Sequence, residues 1–174
     1  MLNFADEMRY GLLSNMRRSW SKVGARAVLP HQHSYENHYL FSAVAPVAGD
    51  SFHLMGIDGM DSRATRIFLE QLKTQHPQDH GVIVWDGAPC HRPLWVRDIS
   101  GLSVIFLPPY SPELNPAERF FEEMRRATAN RIFKSLACQE EHIAEAVNRW
   151  ADNTDAMRQL LGYEWILKQC LEVN

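Results

Sequence analysis

The sequence predicts a single α/β domain in which helices flank a mixed five-stranded sheet and further helices follow at the C-terminal end. Apolar and polar residues alternate in the first third of the chain, which is typical of strands paired as hairpins. Two short continuous apolar runs then alternate with helical segments, and the last third has only the helical period. With 174 residues, the chain is long enough for one domain with its own core.

Composition narrows the class of protein. A hydrophobic fraction of 45% with 22% charged residues is typical of a folded globular chain. No apolar run approaches the roughly 20 residues of a membrane helix and no signal peptide is evident, so we expect a cytoplasmic protein without membrane contact. Three widely spaced cysteines, Cys90, Cys138 and Cys170, fit a reducing compartment. A net charge of −3 excludes an overall basic field, so any contact with nucleic acid must come from local patches.

The first strand is predicted at the start of the chain, where apolar residues alternate with smaller or polar ones up to Asp6. Two further strands are predicted at residues 39–47 and 51–57, joined as a hairpin by a turn at residues 48–50. Because the first strand of a sheet usually has a lead-in, we also expect that a region N-terminal to this domain is missing.

A basic and aromatic patch lies between the first two strands. Residues 14–30 are polar, and Arg17, Arg18 and Lys22 surround Trp20. Such a patch suits a nucleic-acid strand, whose phosphates need positive charge and whose bases stack on aromatic rings. A solvated loop with one anchoring tryptophan explains it equally well, and both interpretations remain open.

Three histidines, His31, His33 and His38, follow this patch closely. Their residue type would suit a metal site, but their spacing matches no common zinc pattern and no cysteine completes the set. A surface loop is the alternative, and the spacing favours it.

The middle of the chain predicts a helix followed by a strand. Asp61 or Ser62 can cap a helix over residues 63–75, in which apolar residues recur at helical spacing. Residues 81–85, GVIVW, are a continuous apolar run of the kind expected in a strand buried on both faces. That strand places Asp86 directly at its C-terminal end.

A short helix at residues 93–99 and a second buried strand at residues 102–107 are predicted next, and two prolines end that strand. Asn115 then caps a helix with Pro116 at its first position and Glu118 at its third, a strong helix start. That helix is predicted to have an apolar stripe of Phe120, Phe121, Met124 and Ala127. Its remaining surface is basic, and three amphipathic helices follow, at residues 139–150, 154–161 and 163–171.

Three acids could form a divalent-metal site. Cleavage of a phosphodiester by two metal ions requires them about 3.5–4 Å apart, and magnesium requires hard oxygen ligands. Asp6 and Asp86 at strand ends and Glu118 at a helix start could converge at one edge of the sheet. Each also has a simpler explanation: a strand-end charge, an Asx turn before Gly87, and a capping-box acid, respectively.

The segments VIVWDGAPCH and VIFLPPYSPELNPAERFFEEMRR resemble the signature of DDE transposases, in the bacterial insertion-sequence group related to mariner elements. FADEMRYGL resembles the first catalytic strand of that family, so the resemblance covers roughly residues 1–135. It implies a ribonuclease H-like fold and a catalytic site of Asp6, Asp86 and Glu118 that binds two Mg²⁺ or Mn²⁺ ions. It further implies that the partners are DNA, at transposon ends and target, and a second copy of the chain in a homodimer.

The resemblance also implies supporting roles. His91 would lie near the metal site, Asn115 would cap the helix, and Tyr110 would shape the loop that positions Glu118. We expect DNA-phosphate contacts from Arg125 and Arg126, together with the earlier patch of Arg17, Arg18 and Lys22.

Three departures from the family pattern stand out. Gly87 occupies a position that is usually Asn, which removes an amide able to orient Asp86. The interval from Asp86 to Glu118 is shorter than in mariner relatives, which leaves Glu113 or Glu122 as alternative third ligands. The helix-turn-helix modules that normally precede this domain have no counterpart here.

We therefore expect the catalytic domain of a transposase, which cleaves DNA at element ends and joins it to target DNA. One alternative is a catalytically silent domain that acts through contacts with a separate N-terminal DNA-binding subunit. Another is a nuclease of the same fold without strand transfer.

Overall fold

The computed structural model describes residues 1–172, which form one five-stranded sheet with helices on both faces. The strands are β1 (Leu2–Gly11), β2 (Asn37–Val44), β3 (Ser51–Ile57), β4 (Gly81–Trp85) and β5 (Leu102–Phe106). The helices are α1 (Ser62–Gln75), α2 (Leu94–Arg97), α3 (Ala117–Thr128), α4 (Leu136–Ala151), α5 (Thr154–Leu161) and α6 (Glu164–Glu172). This order confirms the predicted α/β class.

Strand β1 lies at the centre of the sheet, whose order is β3-β2-β1-β4-β5. It pairs antiparallel with β2 and parallel with β4, and β4 in turn pairs parallel with β5. The β1–β4 register matches Leu2 with Val82 and Phe4 with Val84. If this register is extended by two residues, Asp6 lies opposite Asp86, just beyond the parallel pairing of β1 with β4.

The alternation of side chains along β1 divides the core into two layers. Phe4 and Met8 pack on one face against α3, α4 and α5, while Ala5 packs on the other face against α1. The first layer includes the predicted apolar stripe of α3, in which Phe120, Phe121 and Met124 are fully buried. Burial of these large side chains fixes the position of α3 over the end of β1.

Three strand predictions need correction. Strand β1 continues past Asp6 to Gly11, so Asp6 lies within the strand, paired with Ser42 of β2, and not at its end. Strand β2 begins at Asn37 and ends at Val44, so His38 belongs to a strand and not to a surface loop. The turn begins earlier than predicted because the Ala45 carbonyl accepts a hydrogen bond from the Gly49 N–H (2.7 Å) and Pro46, between them, has no N–H for the ladder.

Strand β5 is an edge strand and is not buried on both faces as predicted. Leu102 is buried against the α1 layer, but Ile105, on the opposite face, is 54% exposed. A continuous apolar run predicts burial on both faces, but the last strand of a sheet has a neighbour on one side only.

The helix predictions agree with the structure apart from their ends. The Asp61 side chain accepts from the N–H groups of Arg63 and Ala64 and caps α1 as predicted. Helix α4 starts at Leu136, three residues before the predicted start, because Ser135 caps it through the Cys138 N–H. Within residues 1–172, no helix is long and apolar enough to cross a membrane.

Candidate active site

The site lies at the C-terminal end of β4 and the start of α3, beside Asp6 in the middle of β1. Asn115 is buried and joins α3 to β1: its Nδ2 donates to the Ala5 carbonyl of β1 (2.9 Å), and its Oδ1 accepts from the Ala117 N–H (3.1 Å). Helix α3 begins at Ala117, with Pro116 before it, one residue later than predicted, but the Asn115 side chain still caps its first turn. Glu118 is consequently held close to the middle of β1.

Asp6, Asp86 and Glu118 line one open cavity of about 800 Å³. The loop that follows β5 forms the opposite wall and includes Tyr110, whose φ of 58° and nearly complete exposure set its ring in the cavity mouth. The cavity is further lined by Arg92, Arg97, Phe106, Pro109 and Ser111. The structure therefore brings all three predicted acids to one site.

The three acids influence one another electrostatically. Burial, the charge of Glu7 and, to a smaller extent, the charges of Glu118 and Asp86 raise the pKa of Asp6 to about 8, against a lowering by the Glu7 N–H that donates to its Oδ1 (2.9 Å). Without a cation, Asp6 therefore keeps its proton at neutral pH. A carboxyl of this kind becomes an anionic ligand when a cation replaces that proton.

Asp86 is held from one side only. Its Oδ1 lies 2.8 Å from the His91 Nδ1 and accepts from the Ala88 N–H at 3.1 Å. The hydrogen bond from His91 lowers the pKa of Asp86, in spite of an opposing effect of burial. The side chain remains 55% exposed, so its other oxygen, Oδ2, can face the cavity.

A buried glutamate that the sequence interpretation did not assign completes this network. The Glu7 Oε1 lies 2.9 Å from the His91 Nε2, and their side chains are 3% and 1% exposed. The His91 ring also stacks on Trp85, with ring centroids 4.2 Å apart. Burial lowers the pKa of His91, but the hydrogen bonds to Asp86 and Glu7 outweigh it and raise that pKa to about 10. The sequence does contain one indication of this position. Side chains alternate between the two faces along β1, so Glu7 is on the face opposite to Asp6.

Glu118 pairs with a cation on its own helix. The Arg125 Nη1 lies 3.2 Å from the Glu118 Oε2, and both side chains are partly exposed. Of the alternative ligands, Glu122 is engaged by both terminal nitrogens of Arg17 (2.6 and 3.0 Å), and Glu113 does not line the cavity. The geometry therefore favours Glu118 as the third acid.

The proposed DNA-contacting side chains differ in their availability. Arg17 is bound to Glu122, and Arg126 lies 2.6 Å from the Glu123 Oε1. In contrast, Arg18 and Lys22 are exposed on the loop between β1 and β2, and Trp20 beside them is completely exposed. The alternative prediction was a solvated loop anchored by one tryptophan. Trp20 does not anchor the loop, so that part of the alternative is wrong.

At Gly87, an arginine fills the space above the backbone. The Arg92 Nε donates to the Gly87 carbonyl (2.7 Å), and a Cβ added at Gly87 would lie 3.1 Å from the Arg92 Nη2. The guanidinium group thus takes the place where the usual asparagine side chain would project. Arg97 is fixed next to it, since its guanidinium lies over the Phe106 ring at 5.6 Å.

The donor set fits hard divalent cations. Within the described part of the chain, no three acidic, histidine or cysteine side chains already enclose a cation position. The acids of the cavity are nevertheless all carboxylates on three separate elements, and Asp6 is destabilised as an anion by its neighbours. Oxygen donors of this kind suit Mg²⁺ or Mn²⁺.

The mixed sheet with this strand order, helices on both faces, an acid within β1 and another directly after β4 defines a ribonuclease H-like fold. A family model described as DDE superfamily endonuclease matches residues 1–138. The chain belongs to this family.

One relative and several solved structures are similar to this chain. An uncharacterized protein, y4pE/y4sA, from Sinorhizobium fredii (strain NBRC 101917 / NGR234), is 30% identical over 129 residues, which are 73% of this chain and 95% of the relative. The Mos1 strand transfer complex is similar over 92% of this chain and 50% of the Mos1 chain, with 18% identity and a TM-score of 0.68. The catalytic domain of Mos1 mariner transposase is similar over 92% of this chain and 74% of that chain, with 16% identity and a TM-score of 0.62. The chain spans about half the length of the Mos1 chain in the strand transfer complex.

Proposed function

We propose that this chain is the catalytic domain of a DNA transposase, which cleaves DNA at transposon ends and transfers the freed strand to target DNA. The observation that carries the proposal is the meeting of Asp6, Asp86 and Glu118 in one cavity, within a chain of the DDE endonuclease family. Mos1 paired-end complexes have been determined with Mn and with Mg, in agreement with the carboxylate donor set.

Asp6, Asp86 and Glu118 would hold two Mg²⁺ or Mn²⁺ ions. Such ions activate the attacking oxygen and stabilise the leaving oxygen of an in-line displacement at phosphorus. Asp6 would become an anionic ligand only after losing its proton. Asn115 would keep Glu118 close to Asp6, because its hydrogen bond to Ala5 joins α3 to β1. The same three acids would serve both cleavage and joining, since each step replaces one P–O bond by another.

Basic side chains of the cavity lining would provide a path for the DNA strand. Arg92 and Arg97 lie beside Asp86 in the cavity lining and would contact phosphates next to the scissile one. The exposed ring of Tyr110 would stack on a base. Arg18 and Lys22 would contact the backbone farther away. Recognition of element ends would come from a separate N-terminal DNA-binding region or subunit, and a homodimer would bring two ends together in the bacterial cytoplasm.

The direct test is metal-dependent nicking of supercoiled and element-end DNA, with Asp86→Asn as the inactive counterpart. We expect Mg²⁺- or Mn²⁺-dependent nicks from the natural chain and a loss of at least about 100-fold in the variant, because one ligand of the reacting centre is removed. Equal nicking by both proteins would refute the proposal. A joining assay with a pre-cut element end distinguishes a transposase from a nuclease of the same fold.

A second candidate is a catalytically silent domain that acts through protein contacts. It is favoured by the pairing of Glu118 with Arg125, which engages one of the three acids in an ion pair. Calorimetric titration with Mn²⁺ separates the two candidates. Micromolar binding that Asp6→Ala abolishes would contradict the silent domain, whereas no binding at millimolar Mn²⁺ would support it.

A further inference from the structure

We propose that Glu7 is a positioning residue that acts through His91 to hold Asp86 with one oxygen directed into the cavity. The proposal rests on the function proposed above, in which Asp86 is a ligand, and adds to it a residue on the opposite face of the sheet. Glu7 itself touches neither the cavity nor any reacting atom.

Successive residues of β1 serve the two faces of the sheet. Asp6 points to the α3 face and lines the cavity, whereas Glu7 points to the α1 face and is not among the lining residues. The Glu7 carboxylate is 3% exposed and its contact in this layer is the His91 Nε2, at 2.9 Å. A buried carboxylate costs several kcal/mol unless it is paired, so this position requires His91 as its partner.

Packing and hydrogen bonds restrict His91. Its ring stacks on Trp85, with centroids 4.2 Å apart. Its backbone N–H donates to the Ala88 carbonyl (3.0 Å), and the Ser62 hydroxyl donates to the carbonyl of the preceding residue, Cys90 (3.0 Å). These contacts restrict the plane of the ring and the backbone that carries it, and the two ring nitrogens then lie toward Glu7 and toward Asp86.

The ring links two carboxyl groups. The Glu7 Oε1 lies 2.9 Å from one ring nitrogen and the Asp86 Oδ1 lies 2.8 Å from the other. The His91 Nδ1 and the Ala88 N–H then satisfy the Asp86 Oδ1, at 2.8 and 3.1 Å. Oδ2 remains available to the cavity. Without Glu7, the Nε2 edge of the ring would lose its partner, and the ring could slide on Trp85 away from the Asp86 Oδ1.

The test uses two readouts on the whole chain. The first is the carboxyl ¹³C shift of Asp86 in metal-free protein at fixed pH 7, which reports its hydrogen bonds directly. The second is Mn²⁺ affinity by calorimetry at pH 9, where Asp6 is ionised with or without the charge of Glu7, and at a temperature well below the melting midpoint of each variant. We expect Glu7→Ala to move the Asp86 shift and to weaken Mn²⁺ binding by about 10- to 100-fold, the usual effect of removing an outer-sphere partner. Glu7→Gln should recover most of that affinity, because its amide oxygen still accepts from His91.

Glu140 provides a matched control. It also pairs with a histidine, His38, and accepts from the Tyr10 hydroxyl, but it lies away from the cavity. Glu140→Ala should lower the melting temperature and leave both the Asp86 shift and Mn²⁺ affinity unchanged. If Glu7→Ala does not fold, Glu7→Asp gives the same test, because its shortened side chain no longer reaches His91.

The outcomes are distinct. An unchanged Asp86 shift, an unchanged Mn²⁺ affinity, or equal reductions of that affinity in the Glu7 and Glu140 variants would each overturn the proposal. If the natural chain neither binds Mn²⁺ nor nicks DNA, the proposed function fails, whereas the metal-free Asp86 shift still decides whether Glu7 orients that carboxylate.

Discussion

Mn²⁺ binding should become tighter as the pH rises toward 8 and should then level off, because the cation has to displace a proton from Asp6. The pKa of Asp6 is raised from 3.8 to about 8, first by burial and then by the charge of Glu7. At pH 7 the side chain is therefore mostly protonated, while Asp86, whose pKa is lowered, is ionised. Below pH 8, each pH unit should change the Mn²⁺ affinity by about tenfold, and filling the site should release about one proton.

The same shift determines how the metal-free protein responds to pH. A carboxyl whose pKa is raised on folding stabilises the protein below its unfolded pKa of 3.8, and this contribution is lost as the pH rises through about 8. At about 1.4 kcal/mol per pH unit, ionising Asp6 in the folded, metal-free protein costs on the order of 6 kcal/mol. Asp6→Asn removes the titrating group, so its free energy of unfolding should fall less over this interval.

Calorimetry between pH 6.5 and 9, in two buffers with different ionisation enthalpies, measures both quantities at once. We expect about one released proton per site at pH 7 and almost none at pH 9. Denaturant unfolding of the natural chain and of Asp6→Asn over the same range gives the metal-free comparison. Tight Mn²⁺ binding at pH 6.5 without proton release would refute the reasoning, since it would mean that Asp6 is already ionised or is not a ligand.

Two further perturbations test the elements around the acids. Replacing Arg125 and Arg126 by Ala should weaken DNA binding, measured by fluorescence anisotropy. The slope of log K against log salt should fall by about 1 for each phosphate that is no longer neutralised. If this slope is unchanged, both residues belong to the solvated face of α3. Asn115→Ala removes hydrogen bonds to Ala5 and Ala117 and should cost about 1–3 kcal/mol in the free energy of unfolding, with a loss of nicking in protein that remains folded. Full nicking activity in that variant would show that α3 keeps its position without the tie to β1.

Local patterns were sufficient to predict where Asp6 and Asp86 lie. Each follows a short apolar run, and the two runs pair as parallel strands, so their meeting follows from the sequence pattern. The pattern does not show that β1 continues past Asp6 to Gly11, because that part is held by its antiparallel pairing with β2. The helix start at Asn115 could likewise be predicted from the sequence, because helix capping depends on a few neighbouring residues. The one-residue shift of that helix and the early end of β2 arose from Pro116 and Pro46, whose effects depend on the geometry around them.

The partners of the acids were not predictable in the same way. Alternation along β1 turns Glu7 away from Asp6, but its contact with His91 joins residues 84 positions apart through packing on Trp85. Likewise, an apolar run has the same composition in a central strand and in an edge strand. Only the neighbours of β5 reveal that Ile105 is exposed.

The charges around the cavity explain how three carboxylates remain close together without a cation. Glu118 is paired with Arg125, and Asp86 is paired with the doubly protonated ring that Glu7 holds on the other side. Asp6 has no basic partner among the causes of its pKa shift, and its compensation is a proton. Divalent cations would therefore replace that proton and compete with the Arg125 guanidinium, while the imidazolium could stay in place. On this argument, the proton and Arg125 hold the positions of the cations in the metal-free protein, and Asp86 is the ligand that is oriented in advance.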